Sequence, residues 1–298
     1  MMELQFGLAV SPSAQPGADP VRDGVLAESL GFDFVSVSDH PCGVAPNYEA
    51  WTMLSWIAAA TSRIRIATRV LGVPYRSPAL VAKMAETFHR LSGGRLILGL
   101  GGGYSDDEFR AFGLRVPSPG EKVRGLVEAI DIIRGLWSEP DFSYEGRLHH
   151  TERANIAPRP ESPIPIWLGT FGDQALTVTG RLADGWIPSH GFAPPEQAAA
   201  MRARVRRAAV LAGRDPNAVT CAYHLEVHVG EPASTEPGVI AGSAAEVAKR
   251  LTGFVELGFT TLSFALNGPD PADQARRLAH DVLPAVRAGV AGETSPTF

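Results

Sequence analysis

The sequence predicts an α/β protein folded as a (β/α)8 TIM barrel, with an inserted segment after the fourth strand–helix unit. Short apolar segments rich in β-branched residues alternate eight times with segments of helical hydrophobic spacing, a pattern that indicates a parallel sheet covered by helices. The 298 residues suffice for one barrel of about 250 residues. No break in composition divides residues 1–298, so we expect a single domain. A doubly wound open sheet with a cap is the alternative.

The clearest strand–helix–strand unit runs from Arg63 to Gly113. Ile64–Leu71 is apolar and β-branched, as a buried strand should be. Ser77-Pro78 suits the start of a helix, and Ser92-Gly93-Gly94 ends it. Arg95–Leu100 is a second apolar strand. Two strands joined by a helix are expected to be parallel with a right-handed crossover, so their carboxyl ends lie at the same edge.

The other elements follow the same two patterns in chain order. The remaining predicted strands are Leu4–Val10, Phe32–Val37, Ile164–Leu168, Gly185–Pro188, Thr220–Val229 and Phe259–Ala265. Apolar residues three or four positions apart predict the helices Val21–Leu30, Glu49–Thr61, Glu121–Ser138, Asp173–Leu182, Pro195–Ala212, Ser243–Leu257 and Pro271–Ala288. Residues 139–163 are predicted to be an inserted hairpin with an extended segment, 230–241 a loop and 289–298 a flexible tail.

The amino-acid composition limits the classes of partner and the cellular location that can be expected for the protein. The chain has 27 basic and 32 acidic residues and a net charge of −5, and it lacks the basic stripe that a nucleic-acid-binding protein needs. Its two cysteines, Cys42 and Cys221, are far apart and are predicted to be free thiols. The apolar run Trp51–Ala60 is too short to span a membrane, and no signal peptide is recognisable. We therefore expect a cytoplasmic protein.

Several catalytic motifs are missing. The chain contains neither the dinucleotide fingerprint GxGxxG followed by its usual spacing nor the phosphate loop GxxxxGK[ST]. His149-His150 are adjacent, so in a strand they would point in opposite directions, and no HExxH motif exists. No metal is predicted. The absence of GxSxG argues against an ordinary serine hydrolase.

Candidate catalytic residues stand where two predicted strands end. Asp39-His40 directly follows the second strand, where Asp39 could orient the imidazole of His40 as a general acid or base. Alternatively, Asp39 caps a local turn and His40 is a hydrogen-bonded loop residue. Glu108 lies five residues after a glycine run. It is either a second acid–base group or an acid that complements a helix dipole.

Glycines follow two other strands. Gly101-Gly102-Gly103 comes after the fourth strand, and Gly169-Thr170-Phe171-Gly172 joins the fifth strand to a helix. Free N–H groups at that helix start can bind a phosphate. The alternative is that these loops need glycine only for its backbone freedom.

The segments that carry a family resemblance extend over nearly the whole chain in order. They are VSVSDH (35–40), WTMLSWIAAATSRIRIATRVLGVPYRSPALVAK (51–83), LSGGRLILGLGGGYSDDEFRAFG (91–113), GLWSEPDFSYEGR (135–147), PIPIWLGTFGDQAL (163–176) and ADGWIP (183–188). With them the chain resembles luciferase-like monooxygenase-fold proteins, specifically the branch of oxidoreductases that use the deazaflavin coenzyme F420.

The resemblance implies a barrel with insertions, often dimeric, and a set of cofactor contacts. Asp39 and His40 should face the deazaflavin ring, which a bulge with a non-prolyl cis peptide supports; Gly72-Val73 is the matching pair. Glu108 matches an acidic position implicated in proton transfer. The remaining residues that the resemblance places at the cofactor are Gly101, Gly102, Gly103, Gly169, Thr170, Phe171, Gly172 and Trp186, of which the 169–172 turn should hold the phosphate.

Two departures from the family pattern concern the substrate. Sugar-phosphate dehydrogenases of this branch have an aromatic residue where Val44 stands, and lysines after the sixth strand. The segment Ser189–Ala193 offers none. A phosphorylated sugar is therefore not the expected substrate. The pocket should be less charged and could be lined by Tyr75, Phe171, Trp186 and Phe192.

The resulting hypothesis is an F420-dependent oxidoreductase that transfers a hydride between the cofactor and a small alcohol or carbonyl compound, or an activated alkene. His40 would take or give the substrate proton, with Glu108 as the second acid–base candidate. One alternative is a monooxygenase that uses FMN and oxygen and needs a flavin reductase as partner. Others are a non-catalytic cofactor-binding barrel and a metal-dependent barrel hydrolase. A homodimer is expected from the resemblance.

Overall fold

The computed structural model describes residues 4–231 and 238–292, and it forms one closed barrel. Eight parallel strands form its wall, and the last pairs with the first. In chain order they are β1 (Gln5–Ala9), β2 (Phe34–Val37), β3 (Arg65–Thr68), β5 (Leu96–Gly101), β8 (Ile166–Leu168), β9 (Gly185–Trp186), β10 (Thr220–Val229) and β12 (Thr261–Leu266). The predicted (β/α)8 barrel is therefore confirmed.

Two short strands extend this wall. β4 (Leu71–Gly72) pairs with β5 beyond the end of β3, and β11 (Val239–Gly242) pairs with β10. The predicted strand Ile64–Leu71 is thus two strands, interrupted at residues 69 and 70. The predicted loop 230–241 contains most of β11, while its residues 232–237 lie outside the described part of the chain.

The helices surround the barrel. They are α1 (Pro20–Ser29), α2 (Ala50–Ala60), α3 (Pro78–Leu91), α4 (Asp106–Ala111), α5 (Pro119–Ser138), α6 (Asp173–Leu182), α7 (Pro195–Leu211), α8 (Ala244–Glu256), α9 (Pro271–Arg277) and α10 (Leu283–Gly292). Helix α5 begins two residues before its predicted start, because Ser118 and Glu121 form a capping box around Pro119 at its first position.

The closing helix, predicted as the single element Pro271–Ala288, consists of three segments. A π-helical turn, Leu278–Val282, joins α9 to α10. Residues 289–292 of the predicted tail continue α10, and residues 293–298 lie outside the described part.

The inserted segment is a two-stranded antiparallel hairpin of β6 (Phe142–Glu145) and β7 (His150–Ala154), as expected. Glu128 of α5 anchors its turn, since the carboxylate accepts hydrogen bonds from the N–H groups of Arg147, Leu148 and His149. Within the described ranges, no helix is long and apolar enough to cross a membrane. Cys42 and Cys221 are free thiols.

The barrel interior is filled in layers. Phe34, Ala67, Ile97, Trp167, Ile187 and Ala222 pack together inside the strands and form what we call the lower layer. Because side chains alternate along a strand, the residues two positions further on face the interior again, nearer the carboxyl ends. There the bulky residues give way to Gly99, Gly169 and Ser189 after Ile97, Trp167 and Ile187. The barrel consequently opens into a cavity at this end.

Candidate active site

A cavity of about 340 Å³ opens at the carboxyl ends of the strands, where barrel enzymes bind their ligands. The structure brings nine of the predicted site residues together in its wall: Asp39, His40, Gly72, Gly101, Gly102, Gly103, Glu108, Gly169 and Phe171. Tyr75 and Phe192, two of the expected pocket aromatics, also line it. Residues that lie as far apart in the chain as Ser38 and Phe192 thus meet at one site, because parallel strands end at one edge.

His40, Glu108 and Tyr75 form a hydrogen-bonded chain at the cavity rim. Nδ1 of His40 lies 2.9 Å from Oε1 of Glu108, and the Tyr75 hydroxyl donates to the other carboxylate oxygen at 2.6 Å. Burial and the bond to Glu108 raise the pKa of Tyr75, so its hydroxyl stays protonated and donates. Glu108 also sits in the first turn of α4, where Ser105 caps its backbone N–H.

These hydrogen bonds determine which nitrogen of His40 is free to react. A carboxylate accepts hydrogen bonds, so the Glu108 contact favours the tautomer with the proton on Nδ1. Nε2 is then the nitrogen left for an incoming group, and 44% of the His40 side chain is exposed. A histidine oriented in this way can take a proton from a hydroxyl or return one.

Asp39 does not orient His40, contrary to the expectation from sequence. Its carboxylate accepts from the N–H of Gly72 at 3.0 Å and forms a bidentate ion pair with Arg76, at 2.7 and 3.0 Å. Arg76 also bonds to Glu49, whose carboxylate caps helix α2. Asp39 is buried, and these donors leave its carboxylate directed away from the imidazole. Its observed contacts tie β2 to the segment after β3.

The non-prolyl cis peptide bond joins Arg69 to Val70, and not Gly72 to Val73 as the resemblance suggested. Residue 72 is instead part of β4, with its N–H bound to Asp39, and Val73 begins a short 3-10 turn. Val70 extends from the cis bond over the glycine wall. A Cβ at Gly101 would lie 2.7 Å from a Val70 methyl, and one at Gly169 would lie 3.1 Å away. These glycines therefore give Val70 its space.

Four predicted site residues lie away from the cavity wall. Val73 is buried in the core, and the Thr170 hydroxyl bonds to Thr179. Gly172 is the exposed N-cap of α6, and it has no capping side chain. Trp186 is fully buried beneath the loop, where its indole N–H donates to the carbonyl of Thr170. Trp186 thus supports the 169–172 turn from behind.

Aromatic side chains frame the cavity mouth. Phe171 and Phe192 have ring centroids 5.2 Å apart, and Tyr104 lies 5.4 Å from Phe192 and 6.1 Å from His40. More than half of the side chains of Tyr104 and Phe192 is exposed. Tyr104 did not stand out in the sequence, although its position directly after the glycine run was the available signal.

A layer of polar residues follows the lower layer toward the carboxyl ends of the strands, and one of them, Arg69, lines the cavity. Ser36, Arg69 and His224 each follow a lower-layer residue by two positions, and Ser263 pairs with His224 across β10 and β12. We call these four residues the upper layer. The Ser263 hydroxyl lies 3.2 Å from that of Ser36 and 3.3 Å from Nδ1 of His224. Sequence patterns alone did not identify this set, because its members come from four separate strands.

Burial is the largest cause of the pKa shifts of Arg69 and His224 in the upper layer. It lowers the pKa of His224 well below its ordinary value, and the positive charge of Arg69 lowers it further. His224 is therefore neutral near pH 7.

Among the residues that the structure describes, no cluster of three or more His, Cys, Asp or Glu side chains could hold a metal ion.

These features define a class of protein: a (β/α)8-barrel enzyme that binds a small molecule over a glycine-lined wall and has one oriented histidine at the rim. The family model for luciferase-like monooxygenases matches residues 4–236. The chain belongs to this family, as the sequence resemblance indicated.

Several relatives of this chain are named F420-dependent glucose-6-phosphate dehydrogenase. The protein from Microbacterium testaceum is 38% identical over 199 residues, which are 64% of this chain but only 58% of that protein. The one from Kineococcus radiotolerans is 29% identical over 88% of this chain and 91% of its own length. The one from Segniliparus rotundus is 34% identical over 73% and 67%, respectively.

Solved structures share the fold at low identity. An F420-dependent secondary alcohol dehydrogenase, in complex with an F420-acetone adduct, superposes with a TM-score of 0.86 at 21% identity, covering 96% of this chain and all of that one. The F420-dependent tetrahydromethanopterin reductase from Methanopyrus kandleri gives 0.82 at 20% identity, covering 95% and 99%. The monooxygenase RslO1 from Streptomyces bottropensis gives 0.81 at 22% identity, covering 94% and 99%.

Proposed function

We propose that this protein is a coenzyme F420-dependent oxidoreductase that transfers a hydride between the cofactor and a small alcohol or carbonyl compound, or an activated alkene. The observation that carries the proposal is the His40–Glu108–Tyr75 chain at the rim of a glycine-lined cavity. Such a site has a proton donor and acceptor beside a space for a ring. The names of the relatives, which are F420-dependent dehydrogenases, support the choice of cofactor.

The cavity fits a flat ring system. Its volume of about 340 Å³ lies in the range of small-molecule sites, about 300–1,000 Å³. Backbone at Gly101–Gly103 forms one side, and Gly103 has a φ of +91°, which favours glycine. Val70 and the rings of Phe171 and Phe192 provide apolar surface. Gly72 and Asp39 would border the ring, and the exposed backbone at Gly172, before the first turn of α6, would hold a phosphate.

The protein would supply the proton in this reaction. Coenzyme F420 supplies hydride transfer. When an alcohol is oxidised, one hydride leaves its carbon and one proton leaves its hydroxyl; Nε2 of His40 takes that proton. In the reverse direction the imidazolium of His40 returns it to the carbonyl oxygen, or to the α carbon of an alkene. Glu108 stabilises the imidazolium through Nδ1, and Tyr75 holds the Glu108 carboxylate in place.

Cofactor binding is the first test. The cofactor-free protein would be titrated into coenzyme F420 and, separately, FMN, and the quenching of cofactor fluorescence measured. Micromolar or tighter binding of F420 with little FMN binding is expected. Replacement of Gly101 by valine should weaken F420 binding, because a side chain there collides with Val70. Binding of neither cofactor would contradict the proposal.

Preference for FMN would instead favour an oxygen-using monooxygenase that works with a flavin reductase. The same fold occurs in the FMN complex of 3,6-diketocamphane monooxygenase, with a TM-score of 0.77 at 18% identity. FMN reduction by an added reductase, followed by oxygen consumption in the presence of substrate, would establish this second candidate.

The substrate would be identified by spectroscopic assay of F420 reduction or F420H2 oxidation. Alcohols, ketones and enones form the panel, with glucose 6-phosphate included because the relatives' descriptions name it. Among the described lining residues Arg69 is the only lysine or arginine, so we expect glucose 6-phosphate to be a poor substrate. Turnover of glucose 6-phosphate above that of every alcohol would contradict this expectation.

We further propose a homodimer that uses the outer face of α2 and α3. A groove of about 380 Å³, lined in part by Leu91, lies between these helices. Leu91 and two other apolar residues of the same helices, Trp56 and Leu80, have 55–83% of their surface exposed. Exposed apolar area of this kind is typical of subunit interfaces. Sedimentation velocity should give a dimer, and Leu91→Glu should give a monomer. A monomeric wild-type protein would contradict the proposal.

A further inference from the structure

Arg69 carries a positive charge that has no ion-pair partner among the described residues. It forms no ion pair there, and its Nε–H is shielded from solvent without a hydrogen-bond acceptor. Burial lowers the pKa of its guanidinium to about 10, which still leaves it protonated at pH 7. Buried donors are nearly always paired, so this arginine has unused capacity for an anionic acceptor.

The surrounding groups do not supply that acceptor. Asp39 is an acid in the cavity wall, but both of its carboxylate oxygens accept hydrogen bonds from Arg76. Glu226 raises the pKa of Arg69 through its charge but forms no ion pair with it, and the amide of Asn267 donates to the Glu226 carboxylate at 3.0 Å. His224 is neutral and adds no negative charge.

The position of Arg69 relates it to the cavity and to His40. It lines the cavity, and its backbone N–H still bonds to Val37 of β2, the strand that leads directly to His40. Arg69 and His40 therefore lie after neighbouring strands, with Arg69 at the level of the upper layer and His40 at the rim. A small molecule in the cavity can reach both.

We propose that Arg69 binds a carboxylate of the substrate, so that the substrate is a short hydroxy, oxo or α,β-unsaturated acid. The planar guanidinium matches a carboxylate in a two-point hydrogen bond. One guanidinium balances the single charge of a carboxylate, whereas it would leave the dianion of a phosphate ester half neutralised. The inference rests on the proposed function for the reaction, but anion binding at Arg69 can be measured without the cofactor.

The first experiment measures anion binding to the cofactor-free protein by titration calorimetry, with propionate and inorganic phosphate as probes. Wild-type protein should bind propionate more tightly than phosphate. Arg69→Met should weaken propionate binding by about 10- to 150-fold, the value of a hydrogen-bonded charged group. Arg65→Met is the matched control, because Arg65 begins β3, four residues before Arg69, and lies outside the cavity wall.

The variant is not expected to unfold. Within the described residues the Arg69 side chain makes no hydrogen bond or ion pair that methionine would remove, and the two side chains are of similar length, so the melting temperature of Arg69→Met should be close to that of the wild type. Arg69→Lys provides a second variant that keeps the charge but loses the two-point geometry, and it should retain part of the propionate affinity. Equal propionate binding in all three proteins would overturn the proposal.

The second experiment compares neutral substrates with analogues that carry a carboxylate one or two carbons from the reacting centre. The wild type should prefer the carboxylated compound in kcat/KM, and Arg69→Met should lose that preference by about 10- to 150-fold. If Arg69→Met weakens F420 binding while propionate binding and the preference are unchanged, Arg69 serves the cofactor and the proposal is wrong. Phosphate binding tighter than propionate would also overturn it. Failure of F420 turnover altogether would contradict the proposed function and leave the calorimetric result standing.

Discussion

The lower and upper layers of the barrel interior come from the same strands but have opposite chemistry. Phe34, Ala67 and Ala222 of the lower layer are almost completely buried. Two residues further along the same strand paths stand Ser36, Arg69 and His224, of which Arg69 lines the cavity. A displacement of two residues, about 7 Å along a strand, thus separates an apolar core from a polar binding surface.

The difference indicates how the barrel divides stability from function. Burial of apolar surface in the lower layer stabilises the fold by about 25 cal/mol per Å². The upper layer contains an arginine whose shielded Nε–H has no acceptor and a histidine held neutral by burial, and such groups lower stability unless a ligand pairs with them. Substitutions above the lower layer should therefore change activity or pH dependence, and substitutions within it should change the free energy of unfolding.

Replacement of His40 at the cavity rim tests the functional side of this division. His40→Ala should lower kcat/KM by about 10²- to 10⁴-fold, the usual contribution of a general acid–base residue, with F420 affinity and melting temperature nearly unchanged. Steady-state kinetics with F420 and the best alcohol substrate would measure it. His150→Ala, an exposed histidine of the inserted hairpin, is the control. Unchanged turnover in His40→Ala would remove His40 from the mechanism.

Truncation in the lower layer tests the structural side. Trp167 is 3% exposed and packs edge-on against Phe34, with ring centroids 5.8 Å apart. Trp167→Ala should lower the free energy of unfolding by about 3–5 kcal/mol, as large-to-small core substitutions do. Urea denaturation would measure this, with the exposed Trp56→Ala as a control expected to stay within about 0.5 kcal/mol. A loss below about 1 kcal/mol for Trp167→Ala would show that the two layers do not differ as described.

Local patterns in the sequence were sufficient for the regular elements. Helix Asp173–Leu182 and strand Thr220–Val229 were predicted with their observed bounds, because turn residues flank a clear periodicity on both sides. Strand Val239–Gly242 was missed. It has four residues in a segment rich in proline and glycine, and only its pairing with β10 makes it a strand, so the necessary information lies in the tertiary structure.

The sequence was sufficient to predict which residues lie at the site, but not which of them form hydrogen bonds with each other. His40, Glu108 and the glycines were identified because they follow strand segments whose ends must meet. The hydrogen-bond partner of His40 was not identified. Asp39 is adjacent to His40 in sequence but binds Arg76, whereas Glu108, 68 residues away, binds the imidazole. The cis bond was expected at Gly72-Val73 and lies at Arg69-Val70, since sequence gives no measure of where the strand ends.

The neutral histidine of the upper layer predicts a pH-dependent difference in stability. His224 has a pKa well below that of an unfolded histidine, near 6.5. As pH falls below about 6.5, the unfolded chain gains a proton at this residue that the folded protein excludes, so folded stability declines by at most about 1.4 kcal/mol per pH unit. His224→Gln removes this loss. Its stability relative to the wild type should rise between pH 7 and pH 5, as measured by urea denaturation, and a difference independent of pH would contradict the assignment.

The smallest expected effect concerns Tyr75, which is linked to His40 through Glu108. Tyr75→Phe removes one hydrogen bond and should lower kcat/KM by about 2- to 13-fold, the value of about 0.5–1.5 kcal/mol. The pairing can be separated from a general loss of packing by a double-mutant cycle. In a Glu108→Ala background the hydroxyl has no carboxylate to hold, so adding Tyr75→Phe should change kcat/KM little. An equal loss in both backgrounds would mean that Tyr75 contributes through its ring contact with Phe109, 5.0 Å between centroids, and that the rim chain ends at Glu108.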